Sequence, residues 1–189
     1  MKKLMLFSLI LLLNACSFRS PQAQFYVMNG GGSEVVSEKK LNIAVTQIKV
    51  PDLLNKAQMV VYDKDSSEVN ILEFHRWAEV LPDTLQSAVT NDLMAYLPQA
   101  YVERTTFGAD SAQYSVNIEI NRMQAYLGGN VTLSAWWNIK DKNGHIITRK
   151  QGVYTATSSG DSVADLVKAE TAAVSQMSRE IAIALAQAK

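Results

Sequence analysis

Hydrophobic residues recur at every fourth position over residues 81–97, and this spacing predicts an amphipathic α-helix. The stripe consists of Leu81, Leu85, Val89, Leu93 and Leu97. Pro98 follows it and cannot continue a helix. A second helix is predicted over residues 161–187, where Ser162 and Asp165 approximate a capping box ahead of another apolar stripe. Both stripes indicate helices that pack on a core rather than binding grooves.

Most other regular segments alternate apolar and polar residues, which predicts half-buried β-strands. These segments are residues 25–28, 41–46, 58–62, 68–74, 114–121, 131–139 and 145–157, with a turn or short helical step at 51–54. The last three predict an antiparallel meander, because residues 128–130, Gly-Gly-Asn, turn the chain between the first two, and Asn143-Gly144 is a strong hairpin signal between the last two. Trp136 and Trp137 are adjacent, so their side chains must point to opposite faces of one strand.

The order of strands, helix, strands and helix predicts the fold class. It indicates an α/β fold, a single layered domain in which a mixed, largely antiparallel sheet is covered by two main helices. The chain has 189 residues, which suffice for one domain with a substantial core and are marginal for two.

The N-terminus carries the marks of a secretory signal. Lys2 and Lys3 precede an apolar run at residues 4–13, which is too short to span a bilayer. Residues 13–16, Leu-Asn-Ala-Cys, resemble a bacterial lipobox, which implies cleavage before Cys16 and acylation of its thiol by chains such as palmitate. The alternative is an ordinary secreted protein with a free thiol. The predicted organisation is a lipoprotein signal peptide at 1–15, a lipidated tether at 16–24 and one folded domain at 25–189.

Charge limits what the mature chain can bind. The sequence has 18 basic and 18 acidic residues, and cleavage removes Lys2 and Lys3, which leaves a net charge of about −2. Because there is no basic excess for nucleic acid or for anionic headgroups, attachment to a membrane must come from the lipid. The tether residues 17–24 reach about 26–29 Å when fully extended, which keeps the domain close to its membrane.

No cluster of residues in the sequence points to catalysis or to a metal. His75 and His145 each lack further ligands at short spacing, so both are interpreted as structural or surface residues. Ser158 and Ser159 have no histidine or acid at a recognisable spacing, and no Gly-x-Ser-x-Gly motif occurs. We therefore predict a protein that is not an enzyme and that uses no cofactor.

Several segments together resemble the ABC-type transport auxiliary lipoprotein family, in particular its paraquat-inducible protein C group. Beside the lipobox they are residues 25–28, 48–54, 75–81, 135–137, 141–144, 166–169 and 181–182. The segment Arg76-Trp77-Ala78-Glu79 is the most specific of them, although Val80 stands where the family motif has proline. The resemblance covers nearly all of the mature chain, so residues 25–189 would be the auxiliary lipoprotein domain.

The resemblance implies an α/β sandwich on an outer-membrane lipoprotein that faces the periplasm. Its expected partner is an MCE-domain protein anchored in the inner membrane, in a system that moves lipids between the membranes and supports envelope integrity. Ser17 after the cysteine agrees with sorting to the outer membrane under the rules of enteric bacteria. Two alternatives remain, a periplasmic lipid-binding shuttle lipoprotein and a lipid-tethered envelope hydrolase.

Four residues are candidates for contact with a partner: Arg76, Trp77, Glu79 and Trp136. Trp136 is included because a tryptophan exposed on a sheet would mark a partner surface. The other three either form a docking surface or pin the first helix to the sheet, and we favour the second interpretation because tryptophan buries well. A homo-oligomer is also open, since Ala169, Ala172, Ala182 and Ala186 give the last helix a small-residue face.

Overall fold

A computed structural model describes residues 21–30, 32, 34–105 and 112–188 of the chain. Its strands are β1 (Gln24–Tyr26), β2 (Asn42–Thr46), β3 (Gln58–Tyr62), β4 (Val69–Trp77), β5 (Tyr101–Thr105), β6 (Tyr114–Ala125), β7 (Asn130–Asp141) and β8 (Ile146–Thr157). Its helices are α1 (Leu81–Tyr96) and α2 (Val163–Gln187), and a short 3-10 turn covers Asp52–Leu54. The predicted α/β class, largely antiparallel and with two main helices, is confirmed.

The strands divide into two sheets where the sequence suggested one. The smaller sheet has the order β1-β4-β3, and the larger has the order β5-β2-β6-β7-β8. In the larger sheet β6, β7 and β8 form the predicted antiparallel meander, while β2 runs parallel to both β5 and β6. The sequence does not predict β5, a five-residue edge strand whose central polar residues give little alternation.

The main core lies between the larger sheet and the two helices. Leu85, Val89 and Leu93 of the predicted α1 stripe have no exposed surface, which confirms that the stripe is core. Helix α2 packs against α1, β7 and β8. Its N-terminus is the predicted cap, since Ser162 Oγ accepts a hydrogen bond from the backbone N–H of Asp165 at 3.1 Å.

Strand β7 shows how the two faces of the larger sheet differ. Five alternate side chains point toward the helices and are buried: Val131, Leu133, Ala135, Trp137 and Ile139. The residues between them point the other way, and Trp136 on that side remains 44% exposed. We call this second side the open face, and it positions the candidate site.

Candidate functional site

A groove of about 250 Å³ lies on the open face beside Trp136. It is lined by Thr46, Gln47, Lys49, Asn117, Ile118, Glu119, Trp136, Asn138 and Lys140. These side chains come from β6, from β7, from the end of β2 and from the chain that follows it. Glu119 and Gln151 stand opposite Trp136 on the two neighbouring strands. The site is therefore an aromatic side chain within a polar, charged surface.

Hydrogen bonds fix the floor of this groove across three strands. Thr46 Oγ1 lies 3.1 Å from the carbonyl oxygen of Val116 and 3.2 Å from Asn117 Oδ1, and can donate to either. Asn117 Nδ2 donates in turn to Asn138 Oδ1 at 3.4 Å. The side chains on β2, β6 and β7 therefore hold one another in place.

The chain that follows β2 forms one wall of the groove. Lys49 forms a parallel bridge with β6, in which its backbone N–H donates to Ile118 at 3.1 Å and its carbonyl accepts from Ile120 at 2.8 Å. This bridge places Lys49 next to Glu119, and Lys140 adds a second cation from β7. The groove therefore presents charges of both signs around an aromatic ring. Protein–protein interfaces have a similar arrangement, in which aromatic residues are surrounded by a polar rim.

A polar network that begins at the buried Trp137 and ends at the surface supports the groove from the covered side of the sheet. Trp137 Nε1 donates to Tyr154 Oη at 3.0 Å, and Tyr154 donates to Glu180 on α2. Lys150 also contacts the Glu180 carboxylate. Burial alone would raise the pKa of Glu180, but the hydrogen bonds from Lys150 and Tyr154 outweigh it and hold that pKa below its usual value. Burial and the bond to Glu180 raise the pKa of Tyr154. The network ties β7 and β8 to α2, so it stiffens the strand that carries Trp136.

The other three candidate contact residues lie at the end of β4 and just beyond it. Trp77 is only 3% exposed, and its backbone N–H donates to the carbonyl of Ala57 at 2.7 Å. Arg76 Nε donates to the backbone carbonyl of Glu73 at 2.8 Å. Glu79 lies 3.9 Å from Arg104, beside a groove that shares no residue with the Trp136 groove. These contacts agree with the interpretation that the segment pins the first helix to the sheet, which stays a prediction.

Cys16 lies outside the described residues, so its acylation stays a prediction. Within the described residues, no helix has the length and hydropathy that a membrane crossing requires. Over the same part of the chain, no three His, Cys, Asp or Glu side chains gather as metal ligands. His145 is exposed beside Asp141 at 3.3 Å, and His75 Nδ1 lies 2.9 Å from Tyr26 Oη.

Two buried carboxylates were not identified from the sequence. Glu170 on α2 is 4% exposed and faces the core without a hydrogen bond to Oε2, and burial raises its pKa to about 8. Asp92 on α1 is wholly buried and accepts a hydrogen bond from Ser175 Oγ at 3.1 Å. A signal existed for Glu170, because it falls midway between Leu166 and Val174 on the apolar stripe of α2.

The fold and the groove define a two-sheet α/β domain with a surface suited to binding. The sequence also assigns the domain to a family, because the model of the ABC-type transport auxiliary lipoprotein component matches residues 27–182. The chain belongs to this family, whose members are lipoprotein components of transport systems. The resemblance found in the sequence motifs is thereby confirmed.

Solved structures share the fold at low sequence identity. A crystal structure of an uncharacterized protein has 21% identity and a TM-score of 0.71, covering 87% of this chain and 99% of its own. A Xanthomonas campestris protein described under the family name DUF330 has 14% identity and a TM-score of 0.70, covering 86% of this chain and 94% of its own. The PelC dodecamer of Paraburkholderia phytofirmans is more distant, with 13% identity, a TM-score of 0.48 and coverages of 78% and 92%. No curated protein matches the chain significantly.

Proposed function

We propose that this protein is a non-catalytic outer-membrane lipoprotein subunit of an MCE-type intermembrane lipid transport system. A lipid on Cys16 holds the domain at the periplasmic side of the outer membrane. The domain then docks the assembly of an MCE-domain protein that is anchored in the inner membrane. Membership of an auxiliary transport family supports the general role, and the lipobox and Ser17 support the location.

The exposed Trp136 is the observation that carries the docking step. Tryptophan is among the residues that contribute most to binding at protein interfaces, where it fills a pocket and is surrounded by polar contacts. Trp136 is exposed on a strand that hydrogen bonds and Trp137 hold rigid, so little order is lost when a partner covers it. Lys49, Glu119 and Lys140 around it provide charges that can select and orient a partner.

Photo-crosslinking in cells tests this proposal directly. A photoreactive amino acid replaces Trp136 in one variant and Met94 in a control, because Met94 on α1 has a similar exposure of 46%. We expect crosslinking at 136 to capture an MCE-domain protein and the control to capture none. Membrane fractionation of the same cells should place the protein in the outer membrane, and Cys16→Ser should release a folded domain.

The outcomes separate this function from the lipid-binding shuttle. Fractionation with the inner membrane together with no captured MCE-domain protein would show the docking proposal to be wrong. Phospholipid that co-purifies with the protein in the absence of an MCE partner would favour the shuttle instead. The polar lining of the Trp136 groove does not favour that alternative, because a bound acyl chain requires an apolar cavity.

A further inference from the structure

The first strand of the described domain leaves two large apolar side chains in solvent. Along β1 and the residues that follow it, Tyr26 and Met28 turn toward the core, and Met28 is only 4% exposed. Phe25 and Val27 alternate with them and are 66% and 53% exposed. The pattern of a half-buried strand is therefore present, but the outward positions hold apolar residues where polar ones are usual.

The surface beside these residues continues the apolar character. Val27 lines a shallow groove of about 330 Å³ that extends along the first half of α2. The other lining residues are Asn29, Val167, Lys168, Thr171 and Ala172. Their exposed surface in the groove is mostly carbon. The Lys168 side chain is largely exposed, and its ammonium group lies 3.0 Å from Asp165 Oδ1. A surface that is apolar in the middle and has a long, exposed lysine side chain at its margin matches the boundary between acyl chains and phosphates in a bilayer.

A second cationic side chain, that of Arg76, lies beside Phe25 on the smaller sheet. Arg76 lies in register with Phe25 across the β1–β4 pair, so both side chains leave the same face of the smaller sheet. Arg76 is half-buried, its Nε donates to the backbone carbonyl of Glu73, and its guanidinium also lies 3.6 Å from the Glu73 carboxylate. Its guanidinium is thus fixed near Phe25, as Lys168 is near Val27.

The position of this surface along the chain indicates what covers it. Phe25 is nine residues from Cys16, and the intervening residues 17–24 extend no farther than about 26–29 Å. The membrane that holds the Cys16 lipid is therefore within reach of β1. Because the tether makes the contact intramolecular, even a weak apolar contact would be populated.

We propose that Phe25, Val27 and the adjoining α2 groove form a membrane-contact edge that rests on the bilayer holding the lipid of Cys16. The side chains of Phe25 and Val27 enter the level of the headgroups. Lys168 and Arg76, which pair with Asp165 and Glu73 in the free protein, exchange or share these carboxylates with phospholipid phosphates. The contact sets the orientation of the domain, so that the anchored protein does not tumble freely on its tether. This inference rests on the proposed lipidation of Cys16.

Depth-dependent fluorescence quenching tests the proposed edge. The full-length lipidated protein is reconstituted in vesicles of phosphatidylethanolamine and phosphatidylglycerol, and single cysteines receive an environment-sensitive dye. The test variants are Phe25→Cys and Val27→Cys, and Cys16 takes no dye because its thiol is acylated. Matched controls are Tyr101→Cys and Val153→Cys, which are 64% and 60% exposed on the open face. We expect spin-labelled lipid to quench the dye at 25 and 27 several-fold more strongly than at 101 and 153.

A charge variant tests the cationic margin separately. In the Val27→Cys background, Lys168→Glu should weaken lipid quenching in vesicles that contain phosphatidylglycerol and have a smaller effect in zwitterionic phosphatidylcholine vesicles. An equal effect in both vesicle types would contradict the pairing of Lys168 with phosphate.

Flotation distinguishes failure of this inference from failure of the proposed anchor. Protein that does not float with vesicles lacks the lipid, and the membrane-contact edge is then overturned together with the anchor. Protein that floats but shows equal quenching at 25, 27, 101 and 153 keeps the anchor and overturns the edge alone. If the dye at 25 and 27 is already shielded from water in the unlipidated Cys16→Ser protein, in buffer without detergent or lipid, a second copy of the chain covers the edge and the inference is also wrong.

Discussion

Trp136 and Trp137 are neighbours in sequence, yet they lie in opposite environments because they leave β7 on opposite faces. Trp137 is 1% exposed beneath α2, whereas Trp136 is 44% exposed on the open face. The polar groups around the two side chains also differ. Under the helices, the indole N–H of Trp137 has a buried protein partner in Tyr154, whereas Trp136 lies in a groove that Lys49, Glu119 and Lys140 also line.

This difference separates the residues that stabilise the fold from the residues that can contact a partner. A polar group on the covered face must find a protein partner, since a buried group without one costs free energy. A polar group on the open face can exchange water for a partner protein at small cost. Substitutions on the covered face should therefore change stability, and those on the open face should change binding.

Trp137→Ala should have the largest effect on stability. It removes a fully buried indole and leaves Tyr154 without the donor that now bonds to it. We expect the free energy of unfolding to fall by about 3–5 kcal/mol. Urea denaturation monitored by circular dichroism measures the loss, and Trp136→Ala is the matched control. Equal losses in the two variants would contradict the assignment of separate roles to the two faces.

Glu170→Gln should change how stability depends on pH. Burial raises the folded-state pKa of Glu170 from 4.5 to about 8, so the folded protein keeps a proton that the unfolded chain loses over that range. The free energy of unfolding therefore falls as pH rises from about 4.5 to 8, by on the order of 3 kcal/mol between pH 5 and pH 8.

Denaturation of wild type and Glu170→Gln at several pH values checks this expectation. The substitution should flatten the decline, because glutamine does not titrate. Glu119→Gln on the open face controls for the loss of one carboxylate. A decline of equal slope in wild type and Glu170→Gln would show that Glu170 is not the group responsible.

Tyr154→Phe should have an intermediate effect. The substitution leaves the Trp137 indole N–H without its acceptor and removes one hydrogen bond from Glu180. We expect a loss of about 1–3 kcal/mol, since the ring is kept and only the hydroxyl is removed. Tyr101→Phe, which removes an exposed hydroxyl, should cost almost nothing in the same denaturation experiment.

The covered face could be predicted from the sequence, because burial imposes a pattern. The apolar stripe of α1 at every fourth residue, the alternation along β7 and the cap at Ser162 all appear in the structure. The division into two sheets was not predictable, because it depends on pairings between distant segments such as β1 with β4. Strand β5 was not predicted because it is short and buries one apolar residue, Val102, so its sequence shows little alternation.

The candidate site was less predictable than the core. Strand parity placed Trp136 and Trp137 on opposite faces, but only the structure shows that no element covers the face of Trp136 fully, which leaves that side chain 44% exposed. Thr46, Lys49, Asn117 and Asn138 had no motif in common, and the sheet register brings them together. Trp77 stood in the most distinctive motif and is buried, since a motif can reflect packing as well as contact with a partner.

Trp136→Ala should have the smallest effect on folding, although it is the variant that tests the proposed docking. Removing a half-exposed side chain from the open face should change the free energy of unfolding by no more than about 0.5 kcal/mol. Loss of an interface tryptophan should weaken binding of the MCE-domain partner by about 2 kcal/mol or more, roughly thirtyfold in Kd. Surface plasmon resonance with the purified partner measures the second effect, and Met94→Ala is the control of similar exposure. If Trp136→Ala binds the partner as wild type does and Met94→Ala binds it poorly, the docking surface lies on the helical side of the domain. The open face would then have no part in the complex.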